Sequence, residues 1–382
     1  MTTTIKQQRS PDRERPFWLA FSFLKISPKR FGQIIDFFGS AEKAWQASDQ
    51  DWKELTHWNS EVLAGFLARK KKICPQVFLD GLVKNYQPLI WPITKLDSYY
   101  PANLLVIEDA PPVLYARGRI VDTLVKGNST LWDSFWSSQI LAVVGTRRPT
   151  AYGCQVVRRL VEALGQNGLI IVSGLAKGID ALAHQSALEV GGKTVAVLGS
   201  GVDVAYPIRN KHLYQEILLK GVVFSELPPG TNPLPAHFPA RNRIIAGLSM
   251  AVLVIEGSIK SGSLITASLA ADQGREVLAV PGDITSQSSS GTNYLIKNGA
   301  GVVTEVADVL AELGLSHQGK SPALDLDGDE KLVTDLLSGH NFTVDEISFR
   351  LKIEINRVNI ALTKLEIKGV ATNLGLGEWG LK

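Results

Sequence analysis

Between about Leu96 and Leu313, short apolar runs closed by turn residues alternate with longer amphipathic stretches, and this alternation most constrains the fold. The runs predict strands over Ile140–Gly145, Leu169–Ser173, Thr194–Leu198, Val222–Ser225, Met250–Glu256 and Glu276–Val280. Continuous apolar strands of this length, each followed by a helix, belong in a parallel sheet covered on both faces, because a half-solvated strand would alternate apolar with polar residues. The expected core is therefore a doubly wound, mostly parallel α/β sheet of the Rossmann-like kind.

The flanks differ from this middle. From Pro16 to Pro92 apolar residues recur at helical spacing (Phe17, Phe21, Leu24, then Phe31, Ile34, Ile35, Phe38), Gly39-Ser40 breaks the run and Ala41 opens another helix. Residues 314–328 mix Gly, Ser, Pro, His and Asp without periodicity and read as a linker. Beyond it, Thr343-Val344-Asp345-Glu346 has capping-box spacing, a further helix runs to Gly369, and Val370–Trp379 reads as a hairpin, which together suggest a winged helix. The expected division is 1–95 helical, 96–313 Rossmann-like, 314–328 linker and 329–382 winged helix.

Composition excludes several classes. With 45% hydrophobic and 20% charged residues, the 382-residue chain is an ordinary globular protein. Its apolar runs, such as those at 169–172 and 250–255, are far shorter than the roughly 18 residues of a membrane span. No secretory signal is expected at the mixed-charge N-terminus. Cys74 and Cys154 offer neither a disulfide framework nor metal-ligand spacing, so the cytoplasm is the expected compartment. The net charge of +3 is uninformative, but its distribution is uneven: residues 1–72 are base-rich, including Arg69-Lys70-Lys71-Lys72, and residues 325–347 are acidic apart from Lys331.

Open parallel sheets bind ligands beyond the carboxyl ends of their strands, so the residues just after each strand matter most. Here they are Gly145-Thr146-Arg147-Arg148, Ser173-Gly174-Leu175-Ala176-Lys177-Gly178-Ile179-Asp180, Gly199-Ser200-Gly201, Arg241-Asn242-Arg243 at a helix start, and Glu256-Gly257-Ser258 leading to Ser261-Gly262-Ser263. Glycines let backbone approach a ligand, free amides at helix starts favour anions, and arginine grips phosphate bidentately. Converging on one sheet edge, these loops describe a polyanion-binding crevice. Each feature also has a structural reading: glycines make turns, His184 packs in a helix, Asp180 caps one or orients Lys177, Glu256 positions an arginine.

Enzyme signatures are missing. Gly199-Ser200-Gly201 begins a dinucleotide fingerprint, but Val204 holds its third glycine position and Tyr206-Pro207 interrupts the following helix. There is no phosphate loop of Walker type, no nucleophile elbow, and no cluster of His, Cys and carboxylates near a nucleophile. The expectation is a binding protein that needs no cofactor or metal. The alternative is a nucleotide-phosphate enzyme related to phosphoribohydrolases, whose catalytic Glu is absent from the comparable Ser261–Thr266 loop.

These residues resemble the DNA-processing Smf/DprA family. The likeness runs in order through Tyr100-Pro101-Ala102-Asn103-Leu104, Val144-Gly145-Thr146-Arg147, the Ser173–Asp180 loop with Ala183-His184, Phe238-Pro239-Ala240-Arg241-Asn242-Arg243, Ser261-Gly262-Ser263-Leu264-Ile265-Thr266-Ala267 and Leu295-Ile296-Lys297-Asn298-Gly299-Ala300. The flanks resemble the family's SAM-like or helix-hairpin-helix domain and its winged helix, although Ile26-Ser27-Pro28-Lys29 replaces a glycine-flanked hairpin and the wing Gly375–Trp379 departs from the family's basic ending. The resemblance implies a homodimer through the Rossmann-like domain that binds single-stranded DNA, protects incoming DNA in natural transformation and assists loading of the recombinase RecA. It assigns the DNA contacts to Arg147 and Lys177, then Arg241 and Arg243, with Gly145, Ser173, Gly174, Asn242, Ser261, Gly262 and Ser263 completing the cradle. Which of Arg241 and Arg243 is structural stays open at this stage.

Overall fold

The computed structural model describes residues 10–55, 58–86, 88–315, 326–338, 340–368, 370–375 and 377–381. Residues 316–325 of the expected linker, Gly369 and Leu376 of the wing lie outside the described residues. The chain forms two compact units, Met1–His317 and Gln318–Lys382.

The first unit is built on one sheet of nine strands: β1 Ile90–Thr94, β2 Val113–Arg117, β3 Ile140–Val144, β4 Ile170–Ser173, β5 Lys193–Val197, β6 Val222–Ser225, β7 Ala251–Val254, β8 Glu276–Ala279 and β9 Gly301–Val302. Their spatial order is β1-β2-β6-β5-β4-β3-β7-β8-β9. The seven strands from β6 to β9 run parallel, and β1 and β2 add an antiparallel edge. The six expected strands are β3 to β8.

Every residue of β3, β4, β6 and β7 is buried, as strands covered on both faces must be. Their side chains alternate between two cores. Leu141 and Val143 pack with Val157, Leu160 and Ile179 on one face, while Ala142 and Val144 join Trp132, Phe135 and Ile244 on the other. The chain order of the strands reverses beside β3, where β4 lies to one side and β7 to the other. That is the switch point at which a crevice opens.

The N-terminal segment is all helical over Pro11–Phe23, Pro28–Phe38, Ala41–Gln46, Asp49–Lys53, Ser60–Lys70 and Pro75–Asn85. Gly39 ends the second helix with φ +83°, and the Ser40 hydroxyl accepts from the Lys43 amide to start the third. The aromatic interior of these helices continues into the sheet edge, because Trp18, Phe21 and Trp52 share one core with Ile90 and Tyr115. A buried ion pair between Arg15 and Asp97 adds a polar tie, and Asp97 also accepts from the Thr94 amide at 2.7 Å. The sheet therefore begins before residue 96, with β1. Its Pro92 masks the strand in sequence and is tolerated because β1 lies at an edge.

The second unit is a winged helix: helices Gly328–Leu337, Val344–Leu351 and Ile355–Ile367 with a small sheet of β10 Phe342–Thr343, β11 Ala371–Gly375 and β12 Glu378–Leu381. The capping box expected at Thr343 and Glu346 forms. The cations of the third helix are paired with the first helix: Arg357 with Asp329 at 2.6 Å, Lys364 with Asp327 at 2.7 Å and Lys368 with Glu330 at 2.6 Å.

Candidate functional site

The loops after β3 and β4 lock together at the switch point. The Ile179 amide donates to the Thr146 carbonyl at 3.2 Å, and the Thr146 amide donates to the Glu256 carbonyl at 2.7 Å. Gly178, with φ +79°, passes so close to Thr146 and Arg147 that a Cβ would strike their backbone. Arg147 and Lys177, next in sequence to Thr146 and Gly178, are thereby carried on touching loops, and both side chains are exposed.

Two cavities adjoin at this point. One, of about 560 Å³, is lined by Gly145, Arg147, Phe238, Arg241, Asn242 and the Ser261–Ser263 loop. The other, of about 420 Å³, is lined by Arg147, Arg148, Gly174, Lys177, Tyr206, Phe238 and Arg241. Arg147, Tyr206, Phe238 and Arg241 belong to both, so the two form one furrow over the sheet edge. The Arg147 guanidinium lies 5.7 Å from the Phe238 ring centre, and the Tyr206 and Phe238 rings are 5.6 Å apart. Cations beside aromatic faces suit a strand of phosphates bearing flat bases.

Arg241 is buried and holds the furrow's floor. Its Nη1 donates to the Gly174 carbonyl at 2.7 Å and also to the Val197 carbonyl, tying the ends of β4 and β5. Burial pushes its pKa down to about 10, which leaves it charged at neutral pH. A Cβ on Gly174 would collide with this guanidinium, so a larger residue there would have to push it off its two carbonyls. The Gly174 amide, expected to face a ligand, instead donates to the buried Asp180 carboxylate at 3.1 Å. Burial raises the Asp180 pKa against the opposing charge of Arg241.

The remaining expected residues divide. Asn242 accepts from Arg241 Nε at 3.2 Å and reaches the Gly262 carbonyl at 3.4 Å, bridging to the helix that starts at Ser261. The hydroxyls of Ser261 and Ser263 are hydrogen bonded to each other at 2.8 Å. Ser173 is fully buried, and its hydroxyl donates to the Val143 carbonyl, so it braces the sheet. Arg243 lines neither cavity. It is buried between Asp109, at 2.9 Å, and Glu226, about half a helical turn from Arg241, and the structure does not bring it to the furrow. Glu256 positions no arginine. Its carboxylate accepts from the Thr150 amide at 2.9 Å and hydroxyl at 2.8 Å and so fixes the start of helix Ala151–Gln166.

Tyr206 and Phe238 are the furrow residues that reading only strand ends overlooks. Tyr206 lies on the crossover after β5 and Phe238 inside helix His237–Leu248. The signal available for them was the Tyr-Pro and Phe-Pro dipeptides, which place an aromatic ring beside a chain reversal.

Residues 91–314 match the family model described as DNA recombination-mediator protein A, and residues 317–375 match the DprA winged helix domain. The chain is 39% identical over 326 residues to Protein Smf of Synechocystis sp., covering 84% of this chain and 78% of that protein. It is 47% identical over 217 residues to DNA processing protein DprA of Streptococcus pneumoniae, covering 57% and 72% respectively. The X-ray structure of the S. pneumoniae protein aligns with a TM-score of 0.65 at 36% identity, over 77% of this chain and 95% of that one. A structure of DNA processing protein A from Helicobacter pylori, which describes its single-stranded DNA binding mode, aligns with a TM-score of 0.51 at 29% identity over 59% and 95%.

Proposed function

Since the chain belongs to the DNA recombination-mediator protein A family, also called DprA or Smf, we propose that its furrow holds single-stranded DNA and that the protein acts by binding, without catalysing a reaction. The observation that carries this reading is the pair of exposed cations, Arg147 and Lys177, on interlocked loops beside the Tyr206 and Phe238 rings. Phosphates neutralise the cations while bases meet the rings. An opening at a sheet edge, floored by the buried Arg241, suits a single strand better than the wider duplex. Among the described residues no helix is long and apolar enough to cross a membrane, in keeping with work on DNA in the cytoplasm.

The finer role follows the family resemblance: protection of incoming strands in transformation and hand-over to RecA, by a homodimer formed through the Rossmann-like unit. Exposed apolar side chains after β8, Ile284 at 92% and Tyr294 at 49%, support a self-contact there.

Affinity for an oligothymidylate, measured across a salt series, is expected to fall linearly on log–log axes, by about 0.7 in slope per neutralised phosphate. Arg147→Glu and Lys177→Glu should each weaken binding alike for all sequences and flatten the slope. Unchanged binding in both variants would refute the furrow. On strands coated by the protein, RecA filaments should nucleate faster than on bare strands, and equal rates would remove the hand-over role.

A further inference from the structure

The cavity of about 420 Å³ has a wall that the reading above does not use. After β5 the chain crosses over through a short 3-10 turn, Ile208–Asn210, before helix Lys211–Lys220. This turn brings the exposed Arg209 to the cavity already lined by Arg147, Arg148, Lys177 and Arg241. No carboxylate lines that cavity, and Arg209 has no ion-pair partner among the described residues. Arg241 has the buried Asp180 carboxylate beside it, but Arg147, Arg148, Lys177 and Arg209 crowd the same small volume and repel one another unless an anion enters.

The turn is not loosely attached. The Asn210 side chain donates from Nδ2 to the Leu175 carbonyl at 2.9 Å and to the Ala176 carbonyl at 3.2 Å. Leu175 has φ +55°, a left-handed conformation uncommon for leucine, and its side chain is fully buried. Asn210 therefore grips the one segment of the β4 loop whose backbone is turned to present Lys177. Through it, the position of Arg209 is fixed relative to Lys177 across 32 residues of sequence, from 177 to 209.

We infer that the Ile208–Asn210 turn forms a second bank of the furrow, with Arg209 contacting an additional phosphate beyond the one held by Lys177 and Asn210 acting as the positioning residue. This deepens the proposed single-strand reading and rests on it. The site would take any linear polyphosphodiester, because its contacts are to phosphate and carry no base preference.

The test uses the full chain and fluorescent oligothymidylates of increasing length. Binding is measured over a salt series for the parent, Arg209→Ala, Arg209→Lys, Asn210→Ala, Arg147→Ala and, as a charge control, Lys220→Ala at the far end of the helix that follows the turn. Arg209→Ala should bind long oligomers about fivefold more weakly and reduce the log–log slope by about 0.7. Arg209→Lys should restore the slope. On the shortest oligomers that still bind, Arg209→Ala should match the parent, since such strands end before the second bank. Asn210→Ala, which leaves the charge of Arg209 in place, should lose the same slope increment without a change in melting temperature large enough to unfold the chain. A normal slope in Arg209→Ala beside a reduced slope in Arg147→Ala overturns the second bank and leaves the single-strand reading standing. Normal slopes in both overturn the reading itself. An equal loss in Lys220→Ala reduces Arg209 to general surface charge and also overturns the inference.

Discussion

His184 shows how completely a polar side chain can be absorbed by structure. It is fully buried, and its Nδ1 lies 2.6 Å from the Thr194 hydroxyl, whose single proton goes to the Ile171 carbonyl at 2.8 Å. The imidazole must then be the donor through Nδ1, in its neutral form. Burial, with Arg241 nearby, pushes its pKa down to about 3. In the unfolded chain the ring takes a proton near its ordinary value of about 6.5. Stability from this group is thus fully present above that value and lost as pH falls below it, about 2 kcal/mol between pH 6.5 and 5. Denaturant midpoints at pH 7 and 5 should therefore drop further for the parent than for His184→Gln, and equal drops would show that the ring titrates freely. At this scale the sequence was informative about chemistry and silent about partners. Arg241 and Arg243 stand two positions apart on either side of Asn242, and only the folded chain brings Asp109 and Glu226 to Arg243 and two carbonyls to Arg241.

Among the elements, the β3 and β4 loops behave as one object because Gly178 is the point where they touch. Replacing it by alanine imposes both a left-handed φ on a residue with a Cβ and a collision with Thr146 and Arg147 backbone. The expected cost is about 2–4 kcal/mol, with single-strand affinity falling as Arg147 is displaced. Gly168 makes the comparison fair: its φ is +83°, but a Cβ there would meet nothing within 4 Å. Gly168→Ala should cost about 1 kcal/mol and leave binding unchanged. Thermal melts and binding assays on the two variants check this, and equal effects would mean that the loops are not coupled. The strands that frame these loops were legible because burial on both faces forces continuous apolar runs. β1, β2 and β9 were not: Pro92 disguises the first, β2 ends in the charged Arg117, and β9 has two residues. β9, at the sheet margin, escapes the demand for apolar residues on both faces, whereas β2 is paired on both sides and buried over four of its five residues but ends in a charge that breaks its apolar run.

For the whole molecule, the two margins of the sheet are unlike. β1 is overlaid by the N-terminal helices and interrupted by Pro92, which has no amide to offer a neighbour. β9 pairs with β8 on one side and, among the described residues, with no strand on the other, and Val302 is half exposed. Under the proposed homodimer, copies that met margin to margin would each use the β9 margin, leaving the shielded β1 margin to block further growth. Association along this direction is then expected to stop at two rather than to polymerise into a ribbon. Sedimentation over a wide concentration range should show a pair that never grows, and Val302→Glu should favour single chains. A ladder of larger species would mean that the shielded margin is not shut, and that the helices laid across it are no barrier to endless growth.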